Sequence, residues 1–488
     1  MTSSYLKAGD VRKRLGGGGA IDRRSGLPSC PLRRCYAARV QKIEGGESDQ
    51  DKPNADAVSR VRAKRPWWFP HFLGRVPLGL EQKDLTLVGV VSLSMFFESY
   101  DLSMLTAALK QIRETFDLGS SEMSSLVAYV RLGAIPAFLV LPLADRLGRR
   151  RVYLWALVGM SLGTFLTAFA RTPIEFVAVQ TLTRVFVVAS IAAAVVIVAE
   201  ELPAEHRGWG IGMLGAIGSF GYGLGAILYA FVEELPYGWR SLYVVGVAPC
   251  LFYPYLRRRV PETKRFLLMR EAGTEGQGGW ARPMIDLVVA YPWRSATVGL
   301  MAFVVAAGMS PAFGLLSDFV QTSHGWKPSS YSLMALVAGV FGIAGNTAMG
   351  WSADRWGRRP IGVFVFITFP LFALALYFGP GMAIPLFWVP MVFMLTGGNV
   401  LMRMVTTELF PTGSRNTAMG WETLMETVGA AAGYALVGVV AAGAASIAPA
   451  VAIVSALTIL GAIVVWTFPE TAKRELESTS DDATQGAS

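Results

Sequence analysis

Apolar runs of about twenty residues, separated by short clusters of charge, constrain this chain more than any other feature. They begin near Leu85, Met123, Val152, Ile174, Gly210, Ser241, Ser295, Tyr331, Ile361, Ala383, Thr417 and Ile447. About twenty apolar residues is the length a helix needs to cross the hydrocarbon core of a bilayer. The runs do not alternate with period two, which argues against membrane strands. Only 16% of the 488 residues are charged and the mean hydropathy is +0.43, whereas soluble proteins carry about 25% charged residues. The expected class is an all-α polytopic membrane protein with twelve transmembrane helices.

Little in the chain suggests bond-making chemistry. Cys30, Cys35 and Cys250 provide no disulfide framework, and His71, His206 and His324 have no metal-ligand spacing. No nucleophile–base set or phosphate loop is present, so neither an enzyme nor a metal or other cofactor is expected. From Met1 to Asp84 there are 17 Lys/Arg against 9 Asp/Glu, so +8 of the +9 net charge lies there. That Arg-, Gly- and Ser-rich stretch reads as a disordered basic tail that touches anionic lipid, not nucleic acid. The "PWWFPHF" stretch near its end, just before the first span, has the character of an aromatic interfacial belt.

The loop charges set an orientation. "DRLGRRR" at 145–151, "EHRG" at 205–208, "RRRVPETKR" at 257–265, "DRWGRR" at 354–359 and "AKR" at 472–474 alternate with loops poor in base. Positive-inside bias then places both termini and all these loops in the cytoplasm. The expected organisation is a tail at 1–84, a six-helix bundle at 85–260, a cytoplasmic linker at 261–290, a second bundle at 291–468 and a tail at 469–488.

The chain also repeats itself. Glu200, Pro203, Arg207 and Gly212 recur 208 residues later as Glu408, Pro411, Arg415 and Gly420; "PETKR" at 261 recurs as "PETAKR" at 469. "ADRLGRR" and "ADRWGRR" put Asp145 and Asp354 209 apart. One near-constant spacing for three signatures indicates a tandem duplication of about six spans, parallel in sense.

At these residues the sequence resembles the major facilitator superfamily, over roughly Lys83 to Glu477. The superfamily's loop signature is complete in the second copy, as Gly350, Asp354, Arg355, Gly357, Arg358 and Arg359; in the first, Leu141 and Pro142 replace its leading glycine. "AEELP…RG" and "PETKR" resemble the branch that holds sugar porters and metabolite–proton symporters. The resemblance implies two six-helix bundles around a substrate cavity that opens alternately to each side. Asp145 with Arg149 and Asp354 with Arg358 then form the expected cytoplasmic gate, joined by Glu200, Arg207, Glu408 and Arg415. Gly148 and Gly357 permit the tight turns.

Charges inside the spans are the candidate site, because an ionisable group at membrane depth is costly unless compensated. Glu98 and Asp101 share a face of the first span. Arg131 on the second span matches Glu98 in depth, and Arg184 on the fourth matches Asp101, each of the latter pair roughly 5 Å outside the midplane. In the second half, Arg403 lies on the tenth span and Glu422 and Glu426 on the eleventh. At the repeat offset Ala306 and Met309 stand opposite Glu98 and Asp101, so the acidic pair belongs to the first half alone. Burial raises a carboxylate's pKa and a nearby arginine lowers it. A carboxylate balanced between these effects can load and release a proton; an arginine cannot. Tyr129 and Asn399 are candidate hydrogen-bonding partners of a substrate.

Glu98-x-x-Asp101 is similar to the paired acids of aromatic-acid–proton symporters, although Glu98 and Ser99 stand in place of their Asp-Gly. The seventh span lacks the Gln-Gln usual in sugar porters, and the fifth lacks the Gly-Pro of drug antiporters. Its glycines are read as sites of close helix contact. The leading expectation is proton-coupled uptake of a small organic acid by a monomer in the plasma (inner) membrane. The partners are then the substrate, protons and the lipid bilayer, with no nucleic acid. A sugar or polyol porter and a non-transporting membrane sensor are the alternatives.

Overall fold

The computed structural model describes residues 64–66, 68–69, 76–137, 147–271, 282–411, 414–444 and 446–471. All belong to the second of two compact units, Ala63–Ser488. The first unit, Met1–Arg62, with the basic tail expected there, lies outside the described residues, as does Asp145.

Every long element is a helix. We label the spans α1 (Gln82–Ala107), α2 (Ser120–Leu132), α3 (Arg149–Thr167), α4 (Pro173–Glu201), α5 (Arg207–Tyr229) and α6, a broken helix over 239–259. The second set is α7 (Pro292–Gly314, continued by Leu316–Ser323), α8 (Pro328–Trp356), α9 (Arg358–Phe378), α10 (Ile384–Leu409), α11 (Arg415–Val440) and α12 (Ala448–Thr467). Short helices Lys264–Glu271 and Arg282–Ala290 lie between the sets. Corresponding spans begin 208 to 211 residues apart, from α1 against α7 to α6 against α12. Among the described residues, nine helices are long and apolar enough to cross a membrane: α1, α4, α5 and α7 to α12. Of the rest, α3 carries three arginines in its first turn, and α6 is interrupted near Pro249 and Pro254.

Local signals fix where the spans start. Glu81 and Asp84 form a capping box at α1, and Thr172 accepts from Glu175 N (3.2 Å) just before Pro173 at α4. Gly148 and Gly357 precede α3 and α9 with φ of +97° and +105°, where a side chain would be strained.

Small residues set the packing. On α5, a Cβ at Gly221 would collide with the Phe96 carbonyl oxygen of α1. Its repeat partner Gly429 on α11 stands in the same relation to the Phe303 carbonyl of α7. Gly225 against Ser103 and Gly433 against Ala307 continue the two seams. Backbones that approach this closely gain dispersion energy where no hydrophobic effect drives helices together. Gly212 and Gly215, by contrast, face open space, so only part of the α5 glycine series serves contact.

These seams predict opposite outcomes for one chemical change. Gly221→Ala or Gly429→Ala overpacks a backbone contact and costs about 1–3 kcal/mol, seen as earlier thermal unfolding in detergent. Gly215→Ala leaves the transition unchanged or slightly later.

Candidate functional site

The face where α3 and α9 begin carries the repeated basic loops. In the first half Arg149 Nε lies 3.5 Å from Glu200 Oε2, and Arg149 stacks over Phe266. Glu262 accepts from Arg150 N (3.1 Å) and blocks any Cβ at Gly148. The second half repeats the design with better geometry. Arg358 grips Glu408 through Nη2 (2.8 Å) and Nε (3.2 Å) and Asp354 through Nη1 (2.7 Å). Glu470 accepts from Arg358 N (2.8 Å) and Arg359 N (3.1 Å), which neutralises the start of α9. Arg207 and Arg415 each donate Nε to a carbonyl five residues back, Leu202 (3.3 Å) and Phe410 (3.2 Å). These ties hold elements of one half together. The expected gate residues therefore brace their own bundles, with α4 and α10 each supplying the glutamate.

Contacts between the halves cluster at the opposite face. Arg113 Nε meets Asp318 Oδ1 at 2.9 Å and its Nη2 donates to Thr322 Oγ1 at 3.0 Å. Beside this pair, Gln111 Nε2 donates to Gln321 Oε1 (3.1 Å). Gln321 Nε2 in turn donates to Tyr229 Oη (2.7 Å) and Ser317 Oγ (2.7 Å). Ser317 Oγ donates to the Ala107 carbonyl (2.5 Å). Deeper in, Tyr222 of α5 faces Phe313 of α7, and Ser124 Oγ of α2 donates to the Tyr434 carbonyl of α11 (2.6 Å). Arg113, Asp318 and the glutamine lattice are not among the site residues expected from the sequence. A signal existed: Gln111 and Gln321 are 210 apart, the repeat offset of α1 and α7. Equivalent residues that touch mark the pseudo-two-fold axis.

Inside the first half, α1, α3, α4 and α6 enclose a polar cluster. Asp101 is fully buried; its Oδ1 accepts from Thr164 Oγ1 (3.0 Å) and its Oδ2 lies 3.7 Å from Arg184 Nη2. Gln180, one turn before Arg184 on α4, is also buried, and its Nε2 donates to Thr167 Oγ1 (3.2 Å). Among the described residues, Asp101 Oδ2, Arg184 Nε and Nη2, Gln180 Oε1 and Tyr243 Oη have no hydrogen-bond partner. Buried groups left in this state are expensive and call for a functional reason. Thr164 and Tyr243 were not among the expected residues, since neutral side chains on apolar spans give no charge signal.

Glu98 behaves differently from Asp101. It is half-buried, accepts only from Ser99 Oγ (3.2 Å), and feels the charges of Arg184, Asp101 and Arg131. Asp101 points into its own bundle, whereas Glu98 stays partly accessible. Arg131, expected at the depth of Glu98, turns toward the second half, 5.8 Å over the Tyr434 ring, its Nε lacking a hydrogen bond among the described residues. Tyr434 Oη itself donates to the Ser310 carbonyl (2.9 Å).

The remaining candidates separate. Glu422 is buried with Oε2 unpaired, Glu426 is half-buried, and Glu426 and Arg403 are the charges that act on Glu422. Arg403 and Asn399 are exposed one turn apart on α10. Tyr129 is 61% exposed, in a groove of about 620 Å³ with Leu118, Ile174 and Val177. Two helical positions from Arg131 is a rotation of about 200°, so Tyr129 faces away from the charged residues and does not join them.

The comparisons agree with this architecture. The family model described as Major Facilitator Superfamily matches twice in succession, at residues 91–299 and 298–487. The chain is 27% identical over 296 residues to a gallate transporter of Pseudomonas putida, covering 55% of this chain and 65% of that one, just under two thirds. It is 22% identical to a gentisate transporter of Corynebacterium glutamicum over 76% of this chain and 84% of that one. Among solved structures, the inward open conformation of the xylose transporter XylE from E. coli superposes with a TM-score of 0.66 at 18% identity, covering 82% of this chain and 99% of that one. Two matched halves, twelve spans in register and a pseudo-two-fold seam leave one assignment: the chain belongs to the major facilitator superfamily.

Proposed function

We propose that this membrane transporter takes up a small aromatic carboxylic acid together with protons, by alternating access, as a monomer in the plasma membrane. The observation that carries the reading is the buried Asp101–Arg184 pair, 3.7 Å apart with unpaired polar atoms on both sides. A carboxylate that meets its arginine through charge alone can be neutralised by a proton without breaking a hydrogen-bonded fork, which frees Arg184 and changes the packing of α1 on α4. Glu98, half-buried next to this pair, is the relay to the space between the halves. Arg131 has no ion-pair partner among the described residues, so a fixed cation awaits a carried anion there. Gallate and gentisate, the named cargo of the two relatives, are both aromatic carboxylates.

Positive-inside bias puts the basic face, with both termini, in the cytoplasm. The latch of Arg113, Asp318 and the glutamine lattice then closes the outer side, and the conformation is inward-facing. The repeated Arg–Glu ties keep each bundle rigid while the halves rock.

Proteoliposomes test the coupling. With one proton per substrate, a gradient of one pH unit is worth about 1.4 kcal/mol, a roughly tenfold accumulation ratio. Wild-type protein is expected to reach this with gentisate or gallate and to ignore hexoses. Asp101→Asn is expected to reduce the ratio to about one while substrate exchange persists. Accumulation driven by pH in that variant, or hexose uptake in place of acid uptake, would refute the proposal.

The latch makes a separate prediction. Asp318→Asn leaves Arg113 facing a neutral partner and destabilises the closed outer face by about 2 kcal/mol, roughly 30-fold in the ratio of states. Spin labels at Glu234 and Met382, exposed on outer turns of the two halves, should report a longer-distance population in the variant.

A further inference from the structure

On the outside of the first half, two cavities meet. The upper one, about 620 Å³, lies at the basic face and is walled by Arg150, Arg151, Arg257 and Arg270, with Glu262 at its side. The lower one, about 560 Å³, is an apolar groove formed by Val158 and Gly159 of α3, Phe186 of α4 and Cys250 of α6. Trp155 and Tyr253 line both, so one continuous channel runs from a cluster of guanidinium groups down an apolar flank. Leu162, Leu166, Phe169 and Leu251 extend that flank with exposed apolar side chains, a surface suited to acyl chains and not to water.

We propose that this is a binding site for an anionic phospholipid, its phosphate among Arg150, Arg151 and Arg257 and one acyl chain in the groove against Phe186. Three observations support it. The charge is unbalanced: among the described residues the only acid lining the cavity, Glu262, is already engaged by the backbone N–H groups of Arg150, at the start of α3, and Thr263. The polar and apolar parts are stacked along the direction in which a phospholipid lies, with an indole and a phenol at the join, where amphipathic rings favour the headgroup level. Finally, the fold does not require these residues. At the repeat offset of α3 and α9, Arg150 is matched by Arg359, but Arg151 and Trp155 are replaced by Pro360 and Phe364. Capping is repeated; the basic channel is not. A free phosphate would satisfy the arginines but leave the groove without an occupant, so the lipid is the ligand.

Because the site touches α3, α4, α6 and the helix Lys264–Glu271, a bound lipid would tie these elements to one leaflet. It makes no use of the transport residues, so it stands apart from the transport reading.

Native mass spectrometry of the full chain released from detergent tests the site, with phosphatidylglycerol and phosphatidylcholine offered in equal amounts. Phosphatidylglycerol is expected to be retained at least about tenfold better, with roughly a fivefold loss for each arginine removed. The informative variant is Arg151→Gln with Arg257→Gln. It keeps Arg150, whose Nη2 donates to the Arg257 carbonyl, and an unchanged thermal transition will show that it folds. A second variant, Val158→Trp, fills the groove and should weaken retention with every arginine in place. Equal retention of both lipids, or phosphatidylglycerol retained undiminished by the double variant, would overturn the proposal. Displacement by millimolar glycerol 3-phosphate would also overturn it, since the site would then read a phosphate without its chains.

Discussion

A bilayer offers no water to an orphaned polar group, and the rest of this structure follows from that constraint. Backbone donors and acceptors are met within helices, so the described chain is helical throughout its spans. Charges gather at helix ends, where carboxylates engage backbone N–H groups, as Glu262 does at α3 and Glu470 at α9. The few charges left inside the spans must find one another or a mobile ligand. They are therefore the places where motion and chemistry can be coupled.

Duplication divides these features into two kinds. The Gly-Arg-Arg starts of α3 and α9, the Arg–Glu ties and the glycine seams occur in both halves, so they belong to what makes a six-helix bundle stand. The Asp101 cluster occurs once. Between Arg294 and Asp318 the α7 segment has no charged residue at all, and the position 208 residues after Arg184 is Val392. The buried ion pair is thus not a requirement of the fold but an addition to one copy of it. Replacing such a pair by apolar residues is usually neutral or stabilising, and the second half shows the apolar version. A pair retained in one half against that gradient is best explained by what it does.

Much of this was legible in the sequence because depth along a helix is linear in residue number. Counting residues placed Asp101 level with Arg184, and the structure brings them together. Rotation about the helix axis is harder to read, since it depends on which neighbour each face meets. That is why Arg131, expected level with Glu98, turns instead to Tyr434 in the other half. Tyr129, on the same helix, ends on the far side. The repeated loop motifs were legible too: Asp354 and Arg358 pair, and Glu408 of α10, grouped with them by the repeat, takes the bidentate geometry. The glutamine lattice was recoverable in principle, because an axis relating two halves must bring some equivalent residues face to face.

The two ion pairs between spans differ in a way that suits different tasks. Arg113 and Asp318 meet at 2.9 Å with Thr322 in support, at the face where the halves join. That geometry suits the latch proposed above, with Asp318 buried and Arg113 half-buried at the join. Arg184 and Asp101 stand 3.7 Å apart with unused donors and acceptors, deep inside one bundle. A fully hydrogen-bonded fork at that depth would be a trap, because the low dielectric would make its release prohibitive. A looser pair has no such fork to break. The loose geometry is therefore not a defect of the cluster but the condition under which a proton could operate it.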